Sequence, residues 1–304
     1  MYDLMIIGGG PAGLTASVYA ARKSLKTLLV SIDIGGQPNW TSDVENYMGY
    51  QLIEGPALID KFHTQISQYP IDQKIGEKVT KLKKIKGGFE AVSETGNKYQ
   101  SKVVIFATGK SPKKLNVPGE ATLTGKGVTY CATCDGPLFS GQRVAVVGGG
   151  NSALEAVLDM LKIAEHVDLV SLTQLTADPI LIEKLKGAKN LSIFTEYQTE
   201  KIEGKKFVEG MVIKDLKGGK SKQLKVTGIF IEIGLVPNSK PVSELINLNK
   251  QGEVPISCDC ETTTIGLYAA GDVTDVPEKQ IVIAAGEGAK AALQAHRYLQ
   301  RLAT

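Results

Sequence analysis

The stretch "LMIIGGGPAGLTASVYAARKSLKTLLVS", residues 4–31, decides the reading of this chain. The apolar run from Leu4 to Ile7 reads as a buried strand. Gly8, Gly10 and Gly13 follow in Gly-x-Gly-x-x-Gly spacing. Small and apolar residues then recur at helical spacing (Leu14, Val18, Ala21), and Thr27 to Val30 reads as a second strand. The first glycine permits a tight turn, the second admits a pyrophosphate close to the backbone, and the third lets helix pack on strand.

A second copy, "RVAVVGGGNSALEAVLDMLKIAEHVDLVS", occupies residues 143–171. It predicts a strand at Val144–Val147, a glycine turn with Gly148, Gly150 and Ala153, a helix through about Lys162, and a strand at Val167–Val170. One such turn is weak evidence. Two, each in strand–turn–helix–strand order, predict two dinucleotide-binding units. Three further runs end in glycine like strands at a cofactor edge: "VVIFATG" (103–109), "GIFIEIG" (228–234) and "GLYAAGD" (266–272). The alternating segment around "KGGK" (217–220) predicts a β-meander.

Bulk properties fit this picture. A chain of 304 residues suggests about two domains. Apolar content of 42% and a mean hydropathy of −0.03 are those of a globular protein. No apolar run is long enough to span a membrane, so no membrane role is expected. The start, "MYDLMIIGGG", goes straight into the first strand and reads as free of a secretion signal. The net charge of +3 is small. Its lysines, densest from Lys201 to Lys225, read as solvated surface, so no nucleic-acid partner is expected. Four cysteines in 304 residues make no disulfide framework and point to a reducing, cytoplasmic setting.

Two of those cysteines stand in "TYCATCDGP", residues 129–137, just ahead of the second glycine turn. A zinc site needs about four ligands. Cys258 and Cys260 lie far off, and His63, His166 and His296 show no ligand spacing, so no metal is expected. Cys131 and Cys134 suit thiol–disulfide exchange, in which a thiolate attacks a disulfide. Asp135 follows directly and is placed to act as general acid or base. Cys258 and Cys260 flank Asp259 and are expected on one face of a strand, as a buried, inert pair.

The motifs "GGGPAG", "GGQ", "VENYMG", "ATG", "YCATCDG", "GGGNSA" and "AAGDV" occur in the order found in low-molecular-weight thioredoxin reductases, which the chain resembles over essentially its whole length. "NVPGE", "KGVTYCATCDGPLFSGQRVAV" and "VPEKQIVIAAGEGAKAAL" resemble the flavoprotein component of alkyl hydroperoxide reductase more closely still. That relative carries an extra N-terminal thioredoxin-like unit; with the first glycine turn at residue 8, none is expected here.

The resemblance implies an α/β chain with two Rossmann-like domains of the three-layer ββα type, the second inserted in the first. The FAD domain would be 1–114 plus 242–304, and the nicotinamide-type domain 115–241 would carry the dithiol. It implies a homodimer and a domain swing, with hinges expected near "KLNVPGE" and "GLVPNSK". Cys134 resembles the thiol nearest the flavin, Cys131 the exposed interchange thiol, and Asp135 the acid/base. FAD would be lined by Gly8, Gly10, Pro11, Ala12, Gly13, Gly36, Gln37, Asn46, Thr108, Gly109, Gly271, Asp272, Lys279, Gln280 and Ile281. A nicotinamide would lie on Gly148, Gly150, Asn151, Ser152 and Ala153. The electron acceptor would be a separate small thioredoxin or glutaredoxin-like protein.

Two departures stand out. NADPH-using members carry an arginine cluster after the second unit's second strand, because a 2′-phosphate favours arginine. NADH sites often carry an acid there. This chain reads "SLTQ", residues 171–174, and has no arginine between Arg143 and Arg297. NADH is therefore the expected donor, through weak ribose contacts of Ser171 or Gln174. NADPH is disfavoured, and ferredoxin or another flavin-reducing donor is the alternative. The second departure is Met48, where proline is usual; Met48 and Trp40 are expected to fill space beside the flavin. A flavin oxidase and a non-catalytic FAD-binding scaffold are the competing functions, and the retained dithiol with Asp135 speaks against both.

Overall fold

In the computed structural model, residues 1–40 and 43–303 are described, apart from the side chains of Trp40, Asp43, Thr133, Cys134 and Ala303. Residues 1–111 and 236–304 form one compact unit, and residues 112–235, inserted between them, form another. The sequence reading sets these breaks at 114/115 and 241/242. On the incoming crossing the Lys113 N–H donates to the Gly234 carbonyl at 2.9 Å, so the chain joins the insert before residue 114. Glu120, only 3% exposed, accepts the backbone N–H groups of Leu115 and Asn116 at 3.0 and 2.6 Å and the Tyr130 hydroxyl at 2.9 Å. Most of "KLNVPGE" is thereby fastened inside the inserted unit. On the return crossing, Asn238 donates to the Thr108 carbonyl at 2.9 Å, and its own carbonyl accepts the Thr108 hydroxyl. The two crossings, Lys110–Pro112 and Leu235–Pro237, pair as a two-stranded sheet.

The first unit is built on parallel strands in the order Asp72–Ile75, Thr27–Ser31, Tyr2–Ile7, Lys98–Phe106 and Leu267–Ala269. Lys98–Phe106 is shared along its length. Its first half pairs antiparallel with Gly88–Ser93, itself paired with Val79–Ile85, while its second half pairs with Leu267–Ala269. The central strands are apolar on both faces, as parallel strands covered on both sides must be. Leu4, Ile6, Leu29, Val103 and Ile105 meet the helices Pro11–Arg22 and Ile281–Ala303. Met5, Ile7, Leu28, Val30 and Phe106 meet the antiparallel layer through Leu82 and Phe89. The two helices approach through small residues, since a Cβ on Gly288 would overlap the Ala12 carbonyl.

The inserted unit repeats the plan. Its parallel order is Val128–Thr129, Gly228–Ile231, Arg143–Val147, His166–Ser171 and Leu191–Thr195. The helix Asn151–Met160 covers one face. An antiparallel meander of Tyr197–Glu203, Gly210–Asp215 and Ser221–Leu224 supplies the other core. Among the described residues, no helix is long and apolar enough to cross a membrane.

Two local expectations are corrected. Cys258 and Cys260 lie in a turn, not a strand. Cys260 adopts a left-handed φ of 61° and donates its N–H to the Ser257 carbonyl, which turns the chain back. Cys260 is therefore buried and Cys258 exposed, both as free thiols, and burial pushes the Cys260 thiol up to about 12. Met48 fills no space: it is 89% exposed. Tyr47 takes the inward place and packs its ring 5.6 Å from that of Phe62. The expectation for Trp40 concerns a side chain outside the described residues.

Candidate functional site

The first glycine turn leaves no room for side chains at its structural positions. A Cβ on Gly8 would overlap the Ala107 carbonyl oxygen, and one on Gly13 would overlap the Gly8 carbonyl oxygen. The Gly9 N–H donates to Ser31 Oγ at 2.8 Å, and the Gly35 N–H to the Gly9 carbonyl at 2.7 Å. At Gly10 the space is open, with the nearest atom to an added Cβ 3.9 Å away, and Gly36 faces the same gap. Pro11 opens the helix Pro11–Arg22 as its first residue, where its missing N–H costs nothing. Free backbone N–H groups of that first turn therefore border an open, glycine-lined gap, as a pyrophosphate requires.

Residues far apart in sequence meet beside this turn. Gln37 Nε2 donates to Asp272 Oδ2 at 3.2 Å, across 235 positions. Asn46 Nδ2 donates to Gln280 Oε1 at 3.1 Å, just ahead of the helix that starts at Ile281. Gly271, in left-handed backbone at φ 77°, donates its N–H to Glu287 at 2.6 Å. Thr108 is held by Asn238, and Gly109 has φ 64°. Burial raises the Asp272 carboxyl above its usual range, and burial lowers Lys279 below its own. Lys279 donates to the Thr274 carbonyl at 2.7 Å and lies 3.7 Å from Glu253. Glu253 pairs with Lys110 at 2.5 Å. Burial works to raise Glu253, but the Lys110 and Asn249 hydrogen bonds prevail and hold it low.

Sequence reading missed several of these groups. Asp33 stands twenty residues after Gly13, the spacing of a ribose-binding acid, and accepts the Gly36 N–H at 3.2 Å. That spacing was the available signal. Glu287, Lys110 and Glu253 left none, because nothing local marks a charged residue as buried.

The second turn has the same construction. The Gly148 N–H donates to the Val170 carbonyl at 2.9 Å, as Gly8 does to Val30. A Cβ on Gly148 would overlap the Glu232 carbonyl oxygen, while Gly150 faces open space. Asn151 and Asp178 exchange two hydrogen bonds, at 2.9 and 2.8 Å. Ser152 is exposed and Ala153 buried. Ser171 is not a ribose ligand. It is 2% exposed, with its hydroxyl turned against Gly149.

The dithiol segment sits at the carboxyl end of this sheet, where Val128–Thr129 leads into a short helix, Ala132–Asp135. Cys131 is half-buried and disulfide-bonded. The Cys134 side chain lies outside the described residues. Asp135, 7% exposed, accepts a hydrogen bond from the Thr129 hydroxyl. The Ala132 N–H donates to Glu232 Oε1 at 3.2 Å. Burial pushes the Glu232 carboxyl up to about 7. Among the described residues, no group of three or more His, Cys, Asp or Glu is arranged to hold a metal ion.

Two dinucleotide cradles and a disulfide beside a buried carboxyl define a class that passes electrons between a nucleotide and a thiol pair. The chain belongs to the pyridine nucleotide-disulphide oxidoreductase family, whose model matches residues 2–288; the family implies FAD and a nicotinamide cofactor. The chain is 42% identical over 301 residues to the F subunit of alkyl hydroperoxide reductase in Staphylococcus aureus, and equally to its counterpart in Staphylococcus epidermidis. These matches cover 99% of this chain and 59% of each relative, so the chain spans well under two thirds of their length. Thioredoxin reductase from Streptococcus pyogenes superposes with a TM-score of 0.89 at 34% identity, covering 99% of both chains. That from Giardia duodenalis gives 0.87 at 33% identity, covering 98% of this chain and 99% of the other.

Proposed function

We propose that the chain reduces the disulfide of a small thioredoxin or glutaredoxin-like protein, drawing electrons from NADH through FAD and the Cys131/Cys134 pair. In balance, NADH, a proton and the partner disulfide give NAD⁺ and the partner dithiol. Bound FAD would accept two electrons from the nicotinamide and yield them to the disulfide. The observation that carries the reading is the oxidised Cys131 beside buried Asp135, in the unit that holds the second glycine turn. The intact cradle at Gly148 and Gly150 supports a nicotinamide donor over ferredoxin.

Each residue has a part. Gly8, Gly10 and Gly13 would seat the FAD pyrophosphate at the first helix start, and Asp272, held by Gln37, would hold the ribityl chain. Gly148 to Ala153 seat the nicotinamide dinucleotide. Cys131 attacks the partner disulfide, Cys134 closes the internal disulfide, and Asp135 moves the proton between them. The same proposal takes the enzyme to be a cytoplasmic homodimer, which size-exclusion chromatography would show at twice the 32.5 kDa chain mass.

The deciding experiment mixes FAD-loaded protein anaerobically with NADH. Flavin bleaching is expected, followed by reduction of an added thioredoxin disulfide. Cys134→Ser should trap a mixed disulfide through Cys131, and Cys131→Ser should trap none while keeping FAD. No bleaching at millimolar NADH would remove the donor reading.

A further inference from the structure

The second strand of each unit ends on a serine, Ser31 or Ser171, whose hydroxyl is turned inward to the glycine turn. Recognition of a bound ribose must then fall to residues further along. Twenty residues after the third position of each turn stands Asp33 in the first unit and Thr173 in the second. Thr173 carries no charge, but its backbone touches a residue that does. The Thr173 carbonyl accepts the N–H of Glu196 at 3.4 Å.

Glu196 follows the strand Leu191–Thr195, the sheet neighbour of His166–Ser171, and so stands at the same carboxyl edge. Its backbone is left-handed, φ 63°, an uncommon state for a side chain of this size. Its carboxylate is oriented from two sides. Gln174 Nε2 donates to Oε2 at 2.7 Å, and Lys217 Nζ lies 2.5 Å from the same oxygen. The Lys217 hydrogen bond holds the carboxyl below its usual range. The segment bearing Gln174 is docked on the glycine turn, where Thr176 and Ala177 both donate N–H groups to the Gly149 carbonyl. An ionised, part-exposed carboxylate, hydrogen-bonded by Gln174 and Lys217, therefore stands beside the place where the first unit has Asp33.

We propose that Glu196, steadied by Gln174, is the specificity-determining residue of the inserted unit: it accepts the adenosine ribose hydroxyls of an unphosphorylated dinucleotide and repels a 2′-phosphate. This rests on the reading that the inserted unit binds a nicotinamide dinucleotide. No arginine between Arg143 and Arg297 offers a guanidinium to such a phosphate. Lys217 offsets part of the charge of the carboxylate it touches, so discrimination rests on the ribose hydroxyls that Glu196 accepts as well as on the repulsion that remains. A like-charge encounter at a recognition site is a strong discriminator.

The test is calorimetric titration of the full, FAD-loaded chain with ADP-ribose and with its 2′-phosphate, at low salt, without turnover. The wild type should bind ADP-ribose at least about tenfold more tightly. Glu196→Gln keeps size and removes charge, and should bring the ratio below about threefold with an unchanged flavin spectrum. Lys217→Met should keep or widen the ratio; a collapse there would overturn the assignment. An unchanged ratio in Glu196→Gln overturns the assignment alone. Binding of neither ligand by the wild type overturns both the assignment and the nicotinamide reading beneath it.

Discussion

Glu232 joins the two halves of the inserted unit's chemistry: its carbonyl backs onto Gly148, and its carboxyl accepts the Ala132 N–H at the start of the dithiol helix. The equivalent position in the first unit is Ala107, whose N–H donates to Ile7 as that of Glu232 donates to Val147. A titratable side chain thus stands where the sister unit has a methyl group. Burial pushes it up to about 7, above the ordinary 4.5. A raised carboxyl favours the folded state while protonated, and that contribution is lost as pH rises through the folded value. The window is therefore about pH 4.5 to 7. The span is about 2–3 kcal/mol, since each pKa unit is worth about 1.4 kcal/mol and the site keeps some solvent access. Glu232→Gln retains an acceptor for Ala132 and cannot ionise. Urea midpoints at pH 5 and 7.5 should show the variant gaining on the wild type by about 2 kcal/mol at the higher pH. Parallel pH dependence in both proteins would refute it.

The Thr129 hydroxyl donates to Asp135, and the Thr129 Oγ1 also accepts the Cys131 N–H at 3.2 Å. One threonine thus orients both the carboxyl and the backbone of the cysteine it serves. Asp135→Asn should slow single-turnover reduction of a partner disulfide by about 10²–10⁴-fold, the usual worth of a positioned acid or base. Thr129→Val should cost about tenfold by loosening the carboxyl. Flavin content and NADH bleaching should stay as in the wild type. Loss of bleaching in either variant would place the defect before the dithiol.

Much of this was legible in sequence because it is local. Two glycine turns between apolar runs identify both strand–turn–helix units, and the Cys-x-x-Cys-Asp run identifies the thiol chemistry. The pairing of Gln37 with Asp272 and Asn46 with Gln280 spans more than 230 positions, and only the family resemblance, not periodicity, brought them together. Glu120, Glu232 and Glu196 escaped because their importance lies in what they touch after folding. Cys258 and Cys260 were misplaced because two cysteines flanking one residue mimic a strand's alternation. The turn there depends on Ser257, whose Oγ accepts the N–H groups of Asp259 and Glu261, and on the left-handed Cys260.

Glu120 fastens the incoming crossing to the dithiol segment, through Leu115, Asn116 and Tyr130. Burial pushes the Tyr130 hydroxyl up to about 12, so it remains a donor at working pH. Glu120→Ala leaves two N–H groups and a hydroxyl without their acceptor at a part-buried site, and should destabilise the inserted unit by about 1–3 kcal/mol. Tyr130→Phe removes only one donor and should cost about 1 kcal/mol. Hydrogen exchange should show the Leu115 and Asn116 amides losing protection in Glu120→Ala alone. Equal losses in both variants would mean that the hydroxyl, not the carboxylate, holds the crossing.

The third position of the two glycine turns differs, Gly13 in one and Ala153 in the other, and the first leaves no room for a methyl group. A Cβ at Gly13 would overlap the Gly8 carbonyl, a backbone atom that moves only with the turn itself. Gly13→Ala should therefore displace the pyrophosphate seat as well as overpack it, at about 1–3 kcal/mol of stability. The absorbance ratio at 450 and 280 nm should fall to less than about half that of the wild type, and added FAD should restore it only partly. Ala153→Gly removes a methyl group from a helix already adapted to it and should cost about 1 kcal/mol. It should leave flavin content unchanged, since FAD is assigned to the other turn. Full flavin content in Gly13→Ala, or flavin loss in Ala153→Gly, would reverse the assignment of the two cradles.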